Sequence, residues 1–383
     1  MTHKPLDAEV LVLGVGSMGA AACHAIARCG VSVLGVDAHT IPNQRASHHG
    51  GTRMMRLSYH EHPNYVALLK EAWQMWRDLE DASGHGLLTQ TGGLYLGQPD
   101  GDLLGGAVQS AELHDLPHRR LSANRLRKEF PAFIVPDDCE AVWDECAGYV
   151  FSERAILCMT TLAKKLGAKI REHFPIAEVQ YEDDHICLRS VNGERVYGKH
   201  LIVTAGAGIS VAELGLAPAE LQVTRQELAW FEVAPAMRTA ARAIPCWALE
   251  AKILQPNNPG LLYGFPTFEG EPCLKAALHW PGPSADAHSL LESQADALQP
   301  VQQMMHSLFP TLSGPMSRQA VCRYTNSADS HFIVDRHPTK PNTTIACGFS
   351  GHGFKFAPVI GEVLRELCFH GKSTRPVEFL ALR

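Results

Sequence analysis

No stretch of this 383-residue chain approaches the roughly 20 consecutive apolar residues that a membrane-spanning helix requires. Positive charge is not in excess either: 34 Lys and Arg against 40 Asp and Glu give a formal net charge of −6. That balance argues against nucleic acid or an anionic membrane as a partner. Asp7 and Glu9 stand ahead of a short apolar run, so the basic and long apolar regions of a secretory leader are lacking. A cytosolic (cytoplasmic) location is the expectation. Internal repeats and low-complexity segments are missing too. Eleven cysteines are scattered at 23, 29, 139, 146, 158, 187, 246, 273, 322, 347 and 368, and no two have the CxxC spacing of a zinc ribbon or a redox pair. Their odd number without a leader points to reduced thiols, most of them small core hydrophobes. His114 and His118 stand four apart, but Pro117 spoils the helix between them and no HExxH glutamate exists. No metal site is expected. Gly348-Phe349-Ser350-Gly351-His352 imitates a nucleophile elbow, yet its fifth residue is His rather than Gly. His60-Glu61-His62 reads as a solvated turn.

What is present begins at Gly14-Val15-Gly16-Ser17-Met18-Gly19. The apolar, β-branched run Glu9-Val10-Leu11-Val12-Leu13 precedes it and reads as a buried parallel strand. A small, helix-permissive segment follows to Gly30, then a second apolar run that closes on Asp37, about 20 residues beyond Gly16. Strand, glycine turn, helix, strand and acid in that order form a dinucleotide-binding fingerprint. Gly14 permits the tight turn, Gly16 lets backbone approach a pyrophosphate, and Gly19 lets helix and strand pack closely. Ser17 and Met18 open the helix whose N-terminus faces the phosphates, and Asp37 is placed to accept from ribose hydroxyls. The fingerprint does not say which dinucleotide.

Beyond Asp37, residues 42–53 are polar and rich in turns, His and Arg. Helical periodicity runs over 65–79 and 155–167, and over 107–129 in two pieces broken at Pro117, the second capped by Ser122. Strand signals fall at 92–97, 169–171, 177–181, 186–190 and 200–204. Residues 221–285 alternate strand signals with Pro and Gly turns and predict a mostly antiparallel sheet. A helical piece over 285–308 precedes 318–335, and the chain closes with strand 343–347, glycine loop 348–353 and helix 357–369. The order predicts an α/β (α+β) chain. Its Rossmann-like cofactor domain would come from discontinuous segments 1–85, 150–215 and 318–383, with a substrate domain of 86–149 and 216–317 inserted.

Three further stretches resemble one family. Ser47-His48-His49-Gly50-Gly51-Thr52-Arg53-Met54-Met55-Arg56 resembles the SHHGDTRxxR segment of monomeric sarcosine oxidases and N-methyltryptophan oxidases, which are FAD-dependent N-alkyl amino acid oxidases. Cys322-Arg323-Tyr324-Thr325, followed by His331-Phe332-Ile333-Val334-Asp335, resembles their segment bearing the cysteine bonded to flavin. Gly348-Phe349-Ser350-Gly351-His352-Gly353-Phe354-Lys355-Phe356 is similar to their C-terminal loop almost residue for residue. With the fingerprint, the likeness spans the whole chain in family order.

The resemblance implies an oxidase, monomeric, with FAD attached through an 8α-thioether to Cys322 and with Thr52, Gly351 and Gly353 among its cofactor contacts. A neutral secondary amine of an N-methyl or cyclic amino acid would give a hydride equivalent to the flavin, the imine would hydrolyse, and O2 would return as H2O2. Arg56 and Lys355 would hold the substrate carboxylate, and Arg offers it a bidentate fork. Lys275 matches a lysine that bonds through water to the flavin and activates oxygen. Its own setting in Cys273-Leu274-Lys275-Ala276-Ala277-Leu278-His279, a charge inside an apolar strand, also fits an edge-strand gatekeeper. His49 and Arg53 would lie beside the flavin ring. Tyr263, Tyr324 and His279 would line the site, with His352 near the amine. Two departures stand out: Gly51 replaces the family's usual Asp, and 247–262 matches poorly. The substrate therefore stays open among sarcosine, N-methyltryptophan, pipecolate and proline. A dehydrogenase feeding a quinone or electron-transfer protein, an NAD enzyme on the same fingerprint and a non-catalytic flavin sensor are the rival readings.

Overall fold

The computed structural model describes residues 5–210, 217, 220–279, 282–287, 289 and 291–382. The glycine turn joins β1 (Val10–Leu13) to α1 (Ser17–Arg28) and β2 (Val33–Val36). Next come β3 (Thr52–Arg56), α2 (Tyr65–Ser83), β4 (Leu88–Gln90), β5 (Gly93–Gly97) and α3 (Asp102–Leu113). They lead to β6 (His118–Leu121), α4 (Ala123–Glu129), β7 (Glu140–Asp144), β8 (Ala147–Phe151) and α5 (Ser152–Lys165). Five short strands follow: β9 (Lys169–Arg171), β10 (Ile176–Tyr181), β11 (Ile186–Ser190), β12 (Arg195–Gly198) and β13 (His200–Val203). Then come β14 (Gln222–Glu232), α6 (Arg238–Ala243), β15 (Cys246–Glu250), β16 (Leu261–Phe265) and β17 (Cys273–His279). The chain finishes with α7 (Gln299–Leu308), β18 (Met316–Asn326), β19 (Ile333–Arg336), β20 (Thr343–Cys347) and α8 (Ala357–His370).

β1 is buried along its whole length, which is why it reads as an unbroken apolar run. It lies inside a six-stranded sheet of order β19-β20-β13-β1-β2-β9, parallel except for β19. Val10 and Val12 pack with α1, α5 and α8, whereas Leu11 and Leu13 pack with Ile186, Leu188 and Val196 of the small antiparallel sheet β10-β11-β12. Segments far apart in sequence thus meet in one layered α/β unit.

The second large sheet has the order β18-β14-β17-β16-β15-β5-β7-β6 and is antiparallel but for the β15–β5 pair. Strand alternation sorts its side chains onto two faces. Ala229, Phe231, Leu249, Leu262, Leu274 and Ala276 form a core with Val301, Met304, Met305 and Leu308 of α7. The opposite face carries Leu228, Trp230, Tyr263, Ala277, Cys322 and Tyr324. A third sheet, β3-β8-β4, brings Thr52–Arg56 up to that face.

Several expectations are corrected. Between Pro117 and Ser122 the chain forms strand β6, not the continuation of a helical region; only Leu121 of its four residues is buried, so no apolar alternation marks it. Helix over 285–308 shortens to α7 with a 3₁₀ turn over Ala295–Leu298 before it, and positions 288 and 290 lie outside the described residues. β18 pairs with β14, so 318–326 belongs to the eight-stranded sheet and not with the cofactor segments. None of the eleven cysteines, all among the described residues, is in a disulfide. Among the described residues no helix is long and apolar enough to cross a membrane.

Leu262 is fully buried in the sheet–α7 core. Leu262→Ala is expected to lower unfolding free energy by about 2–5 kcal/mol. Urea titration should show the midpoint falling with the slope unchanged.

Candidate active site

The glycine turn has no room for a Cβ at Gly14 or Gly19. Gly14 sits at φ +89°, and a Cβ there would lie 2.7 Å from the Thr204 carbonyl oxygen. A Cβ on Gly19 would lie 1.9 Å from the Gly14 carbonyl oxygen. α1 starts at Ser17 with no side-chain cap and no acidic residue in its first turn, so its amides and dipole face the turn uncompensated. The Met18 side chain points into the core, so this residue offers the turn only its backbone. Asp37 accepts from the Val15 amide at 2.8 Å and the His39 amide at 2.9 Å, which brace its carboxylate while leaving lone pairs on both oxygens. Burial pushes its carboxyl up, against those two amides. His48 is buried beside the turn, its Nδ1 3.8 Å from the Cβ position of Gly16. Burial drives it to about 4, and its Nε2 has no hydrogen-bond partner among the described residues. A bare helix N-terminus, a cradle that a Cβ would fill and an orphaned buried nitrogen fit a dinucleotide.

Two cavities lie on the site face of the eight-stranded sheet. The larger, about 850 Å³, is lined by Thr40, His49, Gly50, Thr52, Trp230 and Lys275, with Arg318 and Val321 of β18. Lys275 is 4% exposed, and its Nζ donates to Gly50 O at 2.7 Å and Thr52 O at 2.9 Å. β17 runs between β14 and β16, so an edge-strand role is excluded. Burial first, then Arg53, pushes the Lys275 ammonium well down. Arg53 donates to the carbonyls of Ser47 and His49 at 2.7 and 2.6 Å and to Thr52 O at 2.7 Å. Glu153 takes the amides of Gly50 at 2.8 Å and Gly51 at 3.1 Å, with His49 Nδ1 3.6 Å away. Burial alone would raise the Glu153 carboxyl, but bonds from His49, Ser152 and both amides hold it far below its usual range. Gly51 has φ +86°, a left-handed conformation that accounts for glycine at this position.

The smaller cavity, about 80 Å³, collects Arg53, Arg56, Tyr263, His279, Cys322, Tyr324, Gly351, His352 and Lys355, residues drawn from five separate stretches of sequence. Arg56 Nη2 donates to the Glu61 carboxylate and its guanidinium lies 4.3 Å over the Tyr59 ring. Burial opposes its charge most, but Glu61 together with Tyr59 and Tyr95 holds Arg56 above its usual value. Its Nη1 is buried without a hydrogen-bond partner among the described residues. Lys355 donates to His352 O at 2.7 Å; burial and then Arg56 push it down to about 7, against Glu61. His279 Nδ1 stands 3.2 Å from the Tyr324 hydroxyl. His352 has both ring nitrogens engaged, Nδ1 with the Tyr59 hydroxyl and Nε2 with Ser330 O at 2.9 Å. Gly351 at φ +81° leaves space for Tyr324, whose ring would lie 2.1 Å from a Cβ there. Gly353 makes room for the Phe349 ring and lines neither cavity. Burial raises the Cys322 thiol, while Arg53 and Lys275 pull it back. Ser350 does adopt φ +47°, but its hydroxyl donates to Gly348 O at 3.1 Å inside the loop.

The expected solvated turn at 60–62 is overturned. His60 and Glu61 line the smaller cavity. α3 packs over this backbone: a Cβ on Gly106 would lie 2.5 Å from His60 O, and Ser110 Oγ donates to Tyr59 O at 2.6 Å. Glu61, His60, Tyr59, His48 and Glu153 are the site residues sequence reading missed. Gly105-Gly106 inside α3 was the available signal for a backbone in close contact.

The family model described as FAD dependent oxidoreductase matches residues 9–367. The chain is 33% identical to the monomeric sarcosine oxidase of Bacillus sp. (strain NS-129), over 98% of this chain and 96% of that one. It is 31% identical to the N-methyl-L-tryptophan oxidase of Salmonella arizonae, over 93% of both. Among solved structures, NikD, an amino acid oxidase of nikkomycin biosynthesis, superposes with a TM-score of 0.85 at 19% identity, covering 99% of this chain and 98% of that one. The L-proline dehydrogenase of P. horikoshii gives 0.83 at 20% identity, covering 99% and 97%. By its glycine turn, its two-sheet architecture and these full-length matches, the chain belongs to the FAD dependent oxidoreductase family and is homologous to the monomeric sarcosine and N-methyl-L-tryptophan oxidases.

Proposed function

We propose that this enzyme oxidises the secondary amine of a small N-methyl or cyclic amino acid to its imine, with FAD held covalently through Cys322 and O2 as the final acceptor. The observation that carries the reading is Arg56 Nη1, a buried, charged and unpartnered donor beside Lys355, in a cavity whose wall includes Cys322. FAD, held by the glycine turn, Asp37 and Cys322, would supply a two-electron acceptor for the amine and a donor to O2, with H2O2 as the product.

The chain's residues do the rest. The turn at Gly14, Gly16, Ser17 and Gly19, with Asp37 and His48, holds the dinucleotide, and Thr52 and Gly351 shape the walls around it. Arg56 and Lys355 bind the substrate carboxylate and so fix where the amine lies. Arg53, Arg56 and Lys355 are cations around one carboxylate, Glu61, so the cavity disfavours an ammonium and favours the neutral amine whose lone pair oxidation needs. Tyr263, Tyr324 and His279 orient the substrate from the sheet. His352 acts through Tyr59, which underlies Arg56, and is a positioning residue because it has no ring nitrogen to spare. Lys275 presents a cation where charge develops as O2 is reduced, with His49 and Glu153 fixing the loop it grips. Sarcosine-like substrates and a monomeric, cytosolic enzyme complete the proposal, supported by the name of the Bacillus relative. A cofactor domain of discontinuous segments, with β18 assigned to the substrate side, is part of the same proposal.

Acid precipitation of the holoenzyme tests the linkage: flavin colour should stay in the wild-type pellet and pass to the supernatant in Cys322→Ala. Peroxide formed in air is expected from at least one of sarcosine, N-methyl-L-tryptophan, L-pipecolate and L-proline; flavin reduction without peroxide would instead make the enzyme a dehydrogenase. In Lys275→Met, reaction of the reduced enzyme with O2 should slow about 100-fold or more, with anaerobic reduction far less affected in stopped flow.

Lys355 also gives the site a pH dependence. Its folded value of about 7 lies below the usual lysine range, so the ammonium is present below pH 7 and lost above it, while Arg56 stays charged. Acetate, a competing carboxylate without an amine, should therefore inhibit less well as pH rises through about 7. That dependence should vanish in Lys355→Met, whose acetate affinity should match the weak alkaline value at every pH.

A further inference from the structure

We infer that the amino acid taken by the smaller cavity carries a hydroxyl on its side chain, read jointly by His60 and Glu61; the inference rests on the proposed amine oxidation. Three buried side-chain atoms lining this cavity have no hydrogen-bond partner among the described residues: Arg56 Nη1, His60 Nδ1 and Glu61 Oε2. The first is taken by the substrate carboxylate. The other two stand 3.3 Å apart but are misaligned for a bond to each other. Buried polar atoms left open in this way are satisfied by what enters the cavity.

The chemistry of the pair narrows the ligand. Glu61 is held ionised by Arg56 and only accepts. Burial keeps the His60 ring neutral, so its Nδ1 donates an N–H in one tautomer and accepts in the other. A group meeting both therefore either donates one hydrogen bond and accepts one, or donates two. Because Nδ1 and Oε2 are only 3.3 Å apart, a single atom about 2.8 Å from each reaches both. A hydroxyl oxygen does this. A second carboxylate has no proton for Glu61, an ammonium would be set among the cations Arg53, Arg56 and Lys355 of the same cavity, the substrate's neutral amine needs its lone pair for oxidation, and a methyl group satisfies neither. The reader is also preorganised: α3 locks the backbone of Tyr59 and His60 through Gly106 and Ser110. Ala248, small and on the same cavity wall, leaves space for a substituent on the substrate's α-carbon.

The test compares kcat/KM of the holoenzyme for N-methyl-L-serine and N-methyl-L-alanine, which differ by one oxygen. Wild type should favour the serine compound by about tenfold or more, because its absence leaves two site groups unpaired. His60→Leu should bring that ratio towards one, and His60→Asn, which keeps an N–H donor near the Nδ1 position, should retain most of it. Equal use of the two substrates by wild type, or an unchanged ratio in His60→Leu, overturns the inference while leaving the oxidase reading intact. If His60→Leu fails to fold, the wild-type ratio decides. Loss of turnover with every N-methyl amino acid overturns both.

Discussion

The loop from Ser47 to Arg53 has its backbone polarity divided between charges of opposite sign, and the site depends on that division. Its carbonyls at Ser47, His49, Gly50 and Thr52 point to Arg53 and Lys275, while its amides at Gly50 and Gly51 point to Glu153. A buried ammonium or guanidinium is costly unless its donors are taken up, and a loop carbonyl is costly to bury unless its lone pairs are. Each meets the other's need. Lys275 comes from the middle of the eight-stranded sheet and Glu153 from the first turn of α5, so this one loop ties the substrate-side sheet to the cofactor-side helices.

That tie explains why both cavities open on one face of one sheet. Lys275 and His279 share a face of β17 four residues apart, yet Lys275 belongs to the larger cavity and His279 to the smaller. Cys322, on the outermost strand β18, lines the smaller cavity, while its neighbours Val321 and Arg323 line the larger. In the proposed reading, a cofactor anchored there would have an oxygen-side cation and a substrate-side wall supplied by a single layer of β-structure. Rigid strands, not loops, therefore set most of the distances that matter, and the mobile chemistry is left to the ligands.

Sequence made the cofactor half legible because its constraints are local. The turn at Gly14–Gly19 and the apolar runs of β1 and β2 each follow from neighbours in the chain. Residues such as Arg56, Lys275, Cys322 and Lys355 were legible only through family likeness, since nothing local distinguishes a buried lysine in a central strand from one on an edge. Their convergence on shared cavities is a tertiary fact. Glu61 and His60 were misread for the same reason. A His-Glu-His triplet is polar by composition, and what covers its backbone is Gly106 of α3, some 45 residues on. β6 and the start of α7 were missed where one apolar residue, or a polar lead-in, carried too little periodicity.

The charge count in the smaller cavity links binding to chemistry. Before substrate arrives, Arg53, Arg56 and Lys355 face a single carboxylate, Glu61, and burial keeps His60, His279 and His352 neutral. The site is therefore positive, and in a poorly solvated cavity that excess is expensive. An amino acid with a free amine is an anion and reduces the excess. The same molecule as a zwitterion brings no net charge and sets an ammonium among cations. On the proposed function, the cavity would thus favour the deprotonated form by its overall field. This is why the substrate-side histidines can be spent on holding Tyr59 and Tyr324 in place. Glu61 limits how far the excess goes: without it Arg56 and Lys355 would face each other uncompensated, and the pair that binds the carboxylate would not persist in the free enzyme.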